Sequence, residues 1–268
     1  MTASEPTFLA ILSVSSTGKA KLLPIPTSLM ANLAREAGLY SLTGAWKLGE
    51  LDGGEGLNLT RDSISRMLSI PIDGYLATDD WEKLSQKYGR SLPEVSNYLT
   101  TFNLVSDLIN PDFPGKSVYG SLTGWQVRSL AWTVRSNGGL EELSLAGTVI
   151  GSSEEGNFID SVSFDSKIGK HFQEASIAKE HARVSIINAS GITGAGSNLA
   201  RYVKNLGGEV ITVSSGQEQE SSEIRDHLGG SRLGQRLAPL IRATIVTDTL
   251  PGRADLEIII GRDNKGWF

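Results

Sequence analysis

Val184–Val213 reads VSIINASGITGAGSNLARYVKNLGGEVITV, and its punctuation sets the fold of the second half of the chain. Arg183–Ile187 is an apolar-rich strand, and Asn188–Gly194 supplies turn residues. From Ala195 to Leu206 the apolar residues Leu199, Tyr202, Val203 and Leu206 recur at helical spacing. Gly207-Gly208 stops that helix, and Glu209–Val213 starts a second strand. A strand–helix–strand unit of this kind crosses over right-handed with parallel strands. Downstream the pattern predicts a short strand near Glu223–Arg225, a helix over Ser231–Ile241 and a closing strand Leu256–Ile260. The expected product is a mixed sheet with two helices packed on it.

A strand followed by a glycine turn and a helix start can cradle a phosphate on free backbone N–H groups. Asn188, Gly191, Gly194 and Gly196 are therefore the candidate binding residues of this half. Their spacing is G-x-x-G-x-G, whereas a dinucleotide site needs G-x-G-x-x-G. No acidic residue ends the strand Val210-Ile211-Thr212-Val213-Ser214, and only one βαβ unit is present. The preferred reading is that these glycines permit positive φ and close strand–helix packing. A nucleotide-binding α/β enzyme is kept as an alternative.

Working back toward the start, Thr7–Val14 and Lys19–Ile25 pair as a hairpin around the turn Ser15–Gly18. Residues 41–58 carry five glycines and read as a loop, which makes Trp46 an exposed binding candidate. A short helix begins at Thr60 with Ile64, Met67 and Leu68 on one face, and Ile70–Thr78 looks extended. Asp79 and Ser91 open two capped helices. Thr123–Gln126 caps another, with Val127, Leu130, Ala131 and Val134 inward and Gly138-Gly139 as its stop. Trp81, Trp125 and Trp132 fall on helices, where core packing is the expected fate. Leu143–Ile150 and Phe158–Phe164 read as two strands. The polar segment 166–181 reads as a linker between an α/β domain over 1–165 and a second over 182–268. Trp267-Phe268 either docks on that second domain or frays.

The chain has 268 residues, enough for two cores, and a formal net charge of −5, which argues against a nucleic-acid partner. Without cysteine, disulfides, thiolate catalysis and Cys-zinc sites are excluded. The three histidines, His171, His181 and His227, lack metal-ligand spacing, so no metal site is expected. No stretch reaches the roughly 20 apolar residues of a membrane span, and Met1–Pro6 lacks signal-peptide character. If the native protein is exported, its anchor lies outside these residues.

The string Val184–Val213, with the ending Ala254–Gly261 (ADLEIIIG), resembles the LytR C-terminal domain. That domain commonly follows a LytR–CpsA–Psr domain in bacterial envelope proteins. The first half is similar to the latter family at Leu22–Ser28 (LLPIPTS), Ile64–Tyr75 (ISRMLSIPIDGY), Thr123–Val134 and Leu143–Gly147 (LSLAG). The resemblance implies an extracytoplasmic, surface or membrane-anchored protein with cell-wall glycopolymer or an envelope protein as partner. The family transfers glycopolymer from a polyprenyl-pyrophosphate carrier to peptidoglycan, with arginines, aspartates and Mg²⁺ around the pyrophosphate.

That chemistry needs cationic clamps on phosphate oxygens and hard oxygen ligands for the metal. Where the family has Arg-Asp this chain has Thr27-Ser28, and where it has an early Asp this chain has Pro6-Thr7. The family's arginine-bearing middle segment is missing after Gly89. Arg61, Asp62, Arg66 and Arg90 are the candidates for a rebuilt site, although Arg61 and Asp62, being adjacent, are not expected to share a helix face. The resemblance with its departures implies a reduced, non-catalytic LytR–CpsA–Psr-like protein that binds or scaffolds and needs no cofactor. The alternative is a divergent phosphotransferase using Mg²⁺.

Overall fold

The computed structural model describes residues 6, 8–15, 18–78, 118–152, 156–247 and 252–267. The Asp79 and Ser91 helices, Trp81 and Arg90 lie outside them. The fold is mixed α/β. Strands β1 (Leu9–Ser13) and β2 (Ala20–Ile25) form the expected antiparallel hairpin, with Leu9 opposite Ile25. β3 (Met30–Leu33) and β4 (Gly38–Ser41) form a second hairpin whose tip places Arg35 and Glu36 at positive φ.

Residues 41–58 are not a loop. They form helix α1 (Leu42–Leu51) and the first turn of α2 (Gly56–Leu68). Ser41 caps α1, its Oγ accepting from the Gly44 N–H at 3.1 Å. Leu42, Ala45 and Trp46 then face the core at helical spacing. The glycines are there for contact: a Cβ on Gly49 would lie 2.6 Å from Gly56 Cα. Trp46 is accordingly 9% exposed, a packing residue and not a surface one.

β5 (Leu76–Thr78) pairs antiparallel with β6 (Val118–Gly120). Only its three residues of the expected 70–78 stretch are strand. Helix α3 (Gly124–Ser136) starts on the predicted Thr123/Gln126 capping box and ends before Gly138 and Gly139, both at positive φ. β7 (Leu140–Glu142) runs parallel to β2. β8 (Val149–Ser152) and β9 (Gly156–Ile159) make a hairpin. The stretch expected as a strand over 158–164 breaks at Asp160, whose carboxylate accepts from the Val162 N–H and caps α4 (Ser161–Lys167).

Segment 166–181, read as a polar linker, is mostly helical turns. A 3-10 turn (Gly169–Phe172) and α5 (Ala175–Ala178) follow α4. Phe164, Ile168 and Phe172 enter the core of the first half, with Leu23, Leu33, Leu42 and Leu68. Ile177 enters the core of the second.

The second half follows the sequence pattern closely. β10 (Arg183–Asn188), α6 (Ala195–Leu206) and β11 (Glu209–Ser215) form the βαβ unit with parallel strands. β12 (Glu223–Asp226), α7 (Arg232–Leu237), β13 (Thr244–Thr247) and β14 (Leu256–Ile260) complete a sheet of order β11-β10-β14-β12-β13. β12 is antiparallel to β14, so the sheet is mixed. α7 is shorter than predicted because Pro239 lacks the N–H a continuing helix needs. β13 was not expected: it is an exposed edge strand with no buried alternation to read. Val184, Ile186, Leu199, Val203, Ile224 and Leu256 are among its fully enclosed core residues.

Gly49→Ala should lower stability by about 1–3 kcal/mol, since its methyl meets backbone that cannot rotate away. Gly124→Ala, where a Cβ meets nothing within 4 Å, should be close to neutral. Thermal denaturation of the two variants checks the contrast.

Lys21 Nζ donates to His171 Nδ1 at 2.9 Å. Burial and, after it, the Lys21 cation hold His171 below the usual histidine range. The unfolded chain therefore takes up this proton first, and stability falls as pH drops below about 6.5. His171→Gln should remove that part of the slope in urea titrations run from about pH 7 to pH 5.

Candidate functional site

The glycine turn is closed by its own side chains. Asn188 Oδ1 accepts from the Ser190 N–H (3.2 Å) and hydroxyl (2.6 Å), and its Nδ2 donates to the Ile192 carbonyl at 2.8 Å. The Ile192 N–H donates to Ser190 Oγ. Gly191 and Gly194 sit at φ +74° and +84°, as the turn requires. At Gly196 a Cβ would lie 2.9 Å from Val213 Cγ1, so this glycine lets α6 close on the sheet. The structure brings Asn188, Gly191, Gly194 and Gly196 together, but with Asn188 spent on the turn. The Glu218 carboxylate stands beside Gly191, 3.0 Å from where a Cβ would be, and is paired with Arg262. A carboxylate at that place repels the phosphate such a turn would otherwise receive.

The arginines of α2 are engaged with the protein itself. Arg61 reaches back to its neighbour, donating from Nε (2.9 Å) and Nη2 (2.6 Å) to Asp62 Oδ1. Although adjacent positions do not share a helix face, the two meet because the guanidinium stem is long enough to fold along the helix surface. Arg35, from the β3–β4 tip, donates to the other Asp62 oxygen at 3.2 Å. Arg66 is half-buried and donates to the Leu33 carbonyl at 2.9 Å. Burial pushes its pKa below the usual arginine value. The set therefore does not converge: Arg61 and Asp62 pair at the surface, while Arg66 ties α2 to β3.

The tryptophans reverse the expectation drawn from the sequence. Trp125 and Trp132, assigned to the core, are 76% and 73% exposed. They lie seven residues apart on α3, two turns along one face, about 10 Å apart by helical rise. Arg128 and Arg135, each three residues after a tryptophan, are exposed as well. Val127, Ala131 and Val134 take the buried side. Helical spacing marked the covered face, and the misreading was to place the tryptophans in the core for lying on a helix although they fall outside that face. Trp267 docks: its ring packs on Tyr202 with centroids 6.3 Å apart.

A cleft of about 870 Å³ separates the two halves. It is lined on one side by Arg35, Arg61, Asp62 and Ser65, and on the other by residues 236–242 and the C-terminal residues 263–267. The sequence carries no signal for it, because its walls are more than 150 residues apart. Among the described residues no group of three metal-ligating side chains occurs, and no helix is long and apolar enough to cross a membrane.

No curated protein matches the chain. Among solved structures, that of TagT bound to LIIa-WTA is similar at 16% identity and a TM-score of 0.36, covering 57% of this chain and 77% of that one. The ywtF protein of Bacillus subtilis is similar at 16% identity and 0.33, covering 59% and 86%. A transcriptional regulator from Enterococcus faecalis is similar at 11% and 0.43, covering 78% and 92%. Residues 181–263 match the family model described as LytR cell envelope-related transcriptional attenuator. The βαβ unit, the Asn188 turn and the closing strand β14 all fall inside that match, and this part of the chain is a LytR C-terminal domain.

Proposed function

We propose that this chain is a non-catalytic, extracytoplasmic protein of the LytR–CpsA–Psr type that binds cell-wall glycopolymer. The observation that carries the reading is the pair Trp125 and Trp132, held exposed on one face of α3 with Arg128 and Arg135 beside them. Indole faces stack on the C–H faces of sugar rings, and guanidinium groups pair with phosphate or carboxylate on the same polymer. A solvent-exposed indole gains nothing for the fold, so two in register are best accounted for by a partner.

The use of the arginines supports the non-catalytic part. A pyrophosphate clamp needs cations free to follow charge as it develops on the phosphate oxygens. Arg61 is paired with Asp62 and Arg66 holds a backbone carbonyl. The LytR C-terminal domain, from a family described as cell envelope-related, supports the location.

Sedimentation with purified bacterial cell walls tests the binding. The chain should pellet with walls that carry glycopolymer and stay in solution with walls stripped of it. The Trp125→Ala/Trp132→Ala variant should keep its melting temperature and lose most of the binding. Equal pelleting of the variant removes this reading. Mg²⁺-dependent release of pyrophosphate from a geranyl pyrophosphate analogue, which we expect to be absent, would instead establish the divergent phosphotransferase.

A further inference from the structure

We infer that helix α3 carries two equivalent subsites in tandem, each an indole with an arginine beside it, which together bind a polysaccharide bearing one uronic carboxylate per repeat unit. The chemistry assigned to the polymer rests on the reading of the chain as a glycopolymer binder and deepens it at the same face.

The sequence of α3 repeats itself. WQVRS at 125–129 returns as WTVRS at 132–136. Seven residues make nearly two turns, so the second copy is displaced about 10.5 Å along the axis and turned by only about 20°. In each copy the buried position is the valine, Val127 and then Val134. Burying those two fixes the rotation of the helix and sets the other repeated positions outward together. Trp125, Arg128 and Ser129 are exposed, and so are Trp132, Arg135 and Ser136. Arginine follows tryptophan by three positions and serine follows it by four, the spacings at which side chains are neighbours on a helix surface. Core packing accounts for the repeated valine and gives no reason for the recurrence of the three residues that face water.

The charge of this face selects the sign of the ligand. The chain carries a net charge of −5, yet α3 contains two arginines and no aspartate or glutamate. Neither guanidinium has an ion pair among the described residues. A guanidinium binds a carboxylate or phosphate through two parallel N–H groups. There is one arginine per indole, and Arg135 lies beyond the second indole, not between the two. The anion therefore belongs on the ring that stacks, as a uronic carboxylate does, and not in the link between two stacked rings. The Ser136 hydroxyl donates to the Thr133 carbonyl at 3.1 Å and keeps its lone pairs for a sugar hydroxyl. Two such subsites on one rigid helix engage a single polymer at high effective concentration, so affinity climbs once the ligand is long enough to reach both.

Hyaluronan oligosaccharides carry one uronic carboxylate per disaccharide and serve as the probe. The full chain is titrated with oligomers of one and of two disaccharide units, followed through the ¹H–¹⁵N indole signals. The Trp125 and Trp132 signals should shift together and saturably, with those of Trp46 and Trp267 unmoved. The two-unit oligomer should bind at least about tenfold more tightly than the one-unit oligomer. Trp125→Ala/Arg128→Gln leaves one subsite; it should keep the melting temperature of the parent and lose this length dependence, and Trp132→Ala/Arg135→Gln should do the same. Neutral chitin oligosaccharides of matching length should bind about tenfold more weakly. Equal binding of the neutral oligomer, absence of a length dependence, or a length dependence that survives removal of one subsite overturns the inference. Tighter binding of a synthetic phosphodiester-linked disaccharide oligomer overturns it as well. Should the chain pellet with cell walls and show no length dependence, the tandem subsites fall and the glycopolymer reading stands. Should it fail to pellet while the oligomers behave as expected, the cell-wall assignment falls and the tandem subsites stand.

Discussion

Asn205 fixes how the two halves of this molecule meet. Helix α2 ends at Leu68 with carbonyls that no longer have an intrahelical partner. The buried Asn205 amide, on α6 of the other half, donates to the Leu68 and Ser69 carbonyls, each at 3.2 Å, and lies 3.1 Å from Asp165. Asp165 is itself gripped by both ends of the Arg201 guanidinium at 2.7 and 2.9 Å. One turn of α6 thus supplies Arg201, Tyr202 and Asn205 to a single junction. The Tyr202 hydroxyl lies 3.3 Å from Ser65 Oγ, and burial holds its pKa well above the usual phenol range, so it stays neutral there. Buried carbonyls left unpaired cost about 1–3 kcal/mol each, so this amide is worth more than an ordinary surface contact. Space for it is reserved at Gly169, where a Cβ would lie 2.5 Å from Asn205 Oδ1.

Everything at the junction inherits its geometry from that helix end. Once α6 is seated on α2, α7 comes over residues 71–73, and Arg236 pairs with Asp73 and Glu174. The carboxylates of these pairs are partly to largely exposed, so the pairs add modest free energy. Their effect is on orientation. They hold the 236–242 segment opposite Arg61 and leave the cleft between, with the C-terminal segment closing one end through Arg35 and Gly266.

How legible this was depended on how local its cause is. The βαβ unit was read from Val184–Val213 almost to the residue, since strand, turn, helix and stop all declare themselves within 30 positions. The Thr123 capping box is equally local. Residues 41–58 misled because glycine has two uses. Gly49 and Gly56 serve the close crossing of two helices, and that use is invisible until the partner helix is in place. The tryptophans were reversed for another reason. Trp46 has a covering layer, whereas among the described residues Trp125 and Trp132 have none: they lie outside the Val127, Ala131 and Val134 face, and aromatic character alone did not separate the two cases. The Asn205 junction joins residues 137 positions apart and leaves no trace in a single sequence.

The charges around it also explain why the glycine turn, the most recognisable sequence feature of this half, is not where an anion would go. A phosphate at that turn would have to coexist with the Glu218 carboxylate beside Gly191. Glu218 is kept there by Arg262, which also pairs with Glu220, so the surrounding surface carries two carboxylates for one guanidinium. The cleft is more nearly balanced, with Arg35 paired to Glu55 as well as Asp62, and with Glu36, Asp73 and Asp263 also lining it. The turn that identifies the domain is therefore a packing device, its polar side chains spent on one another and its rim negative.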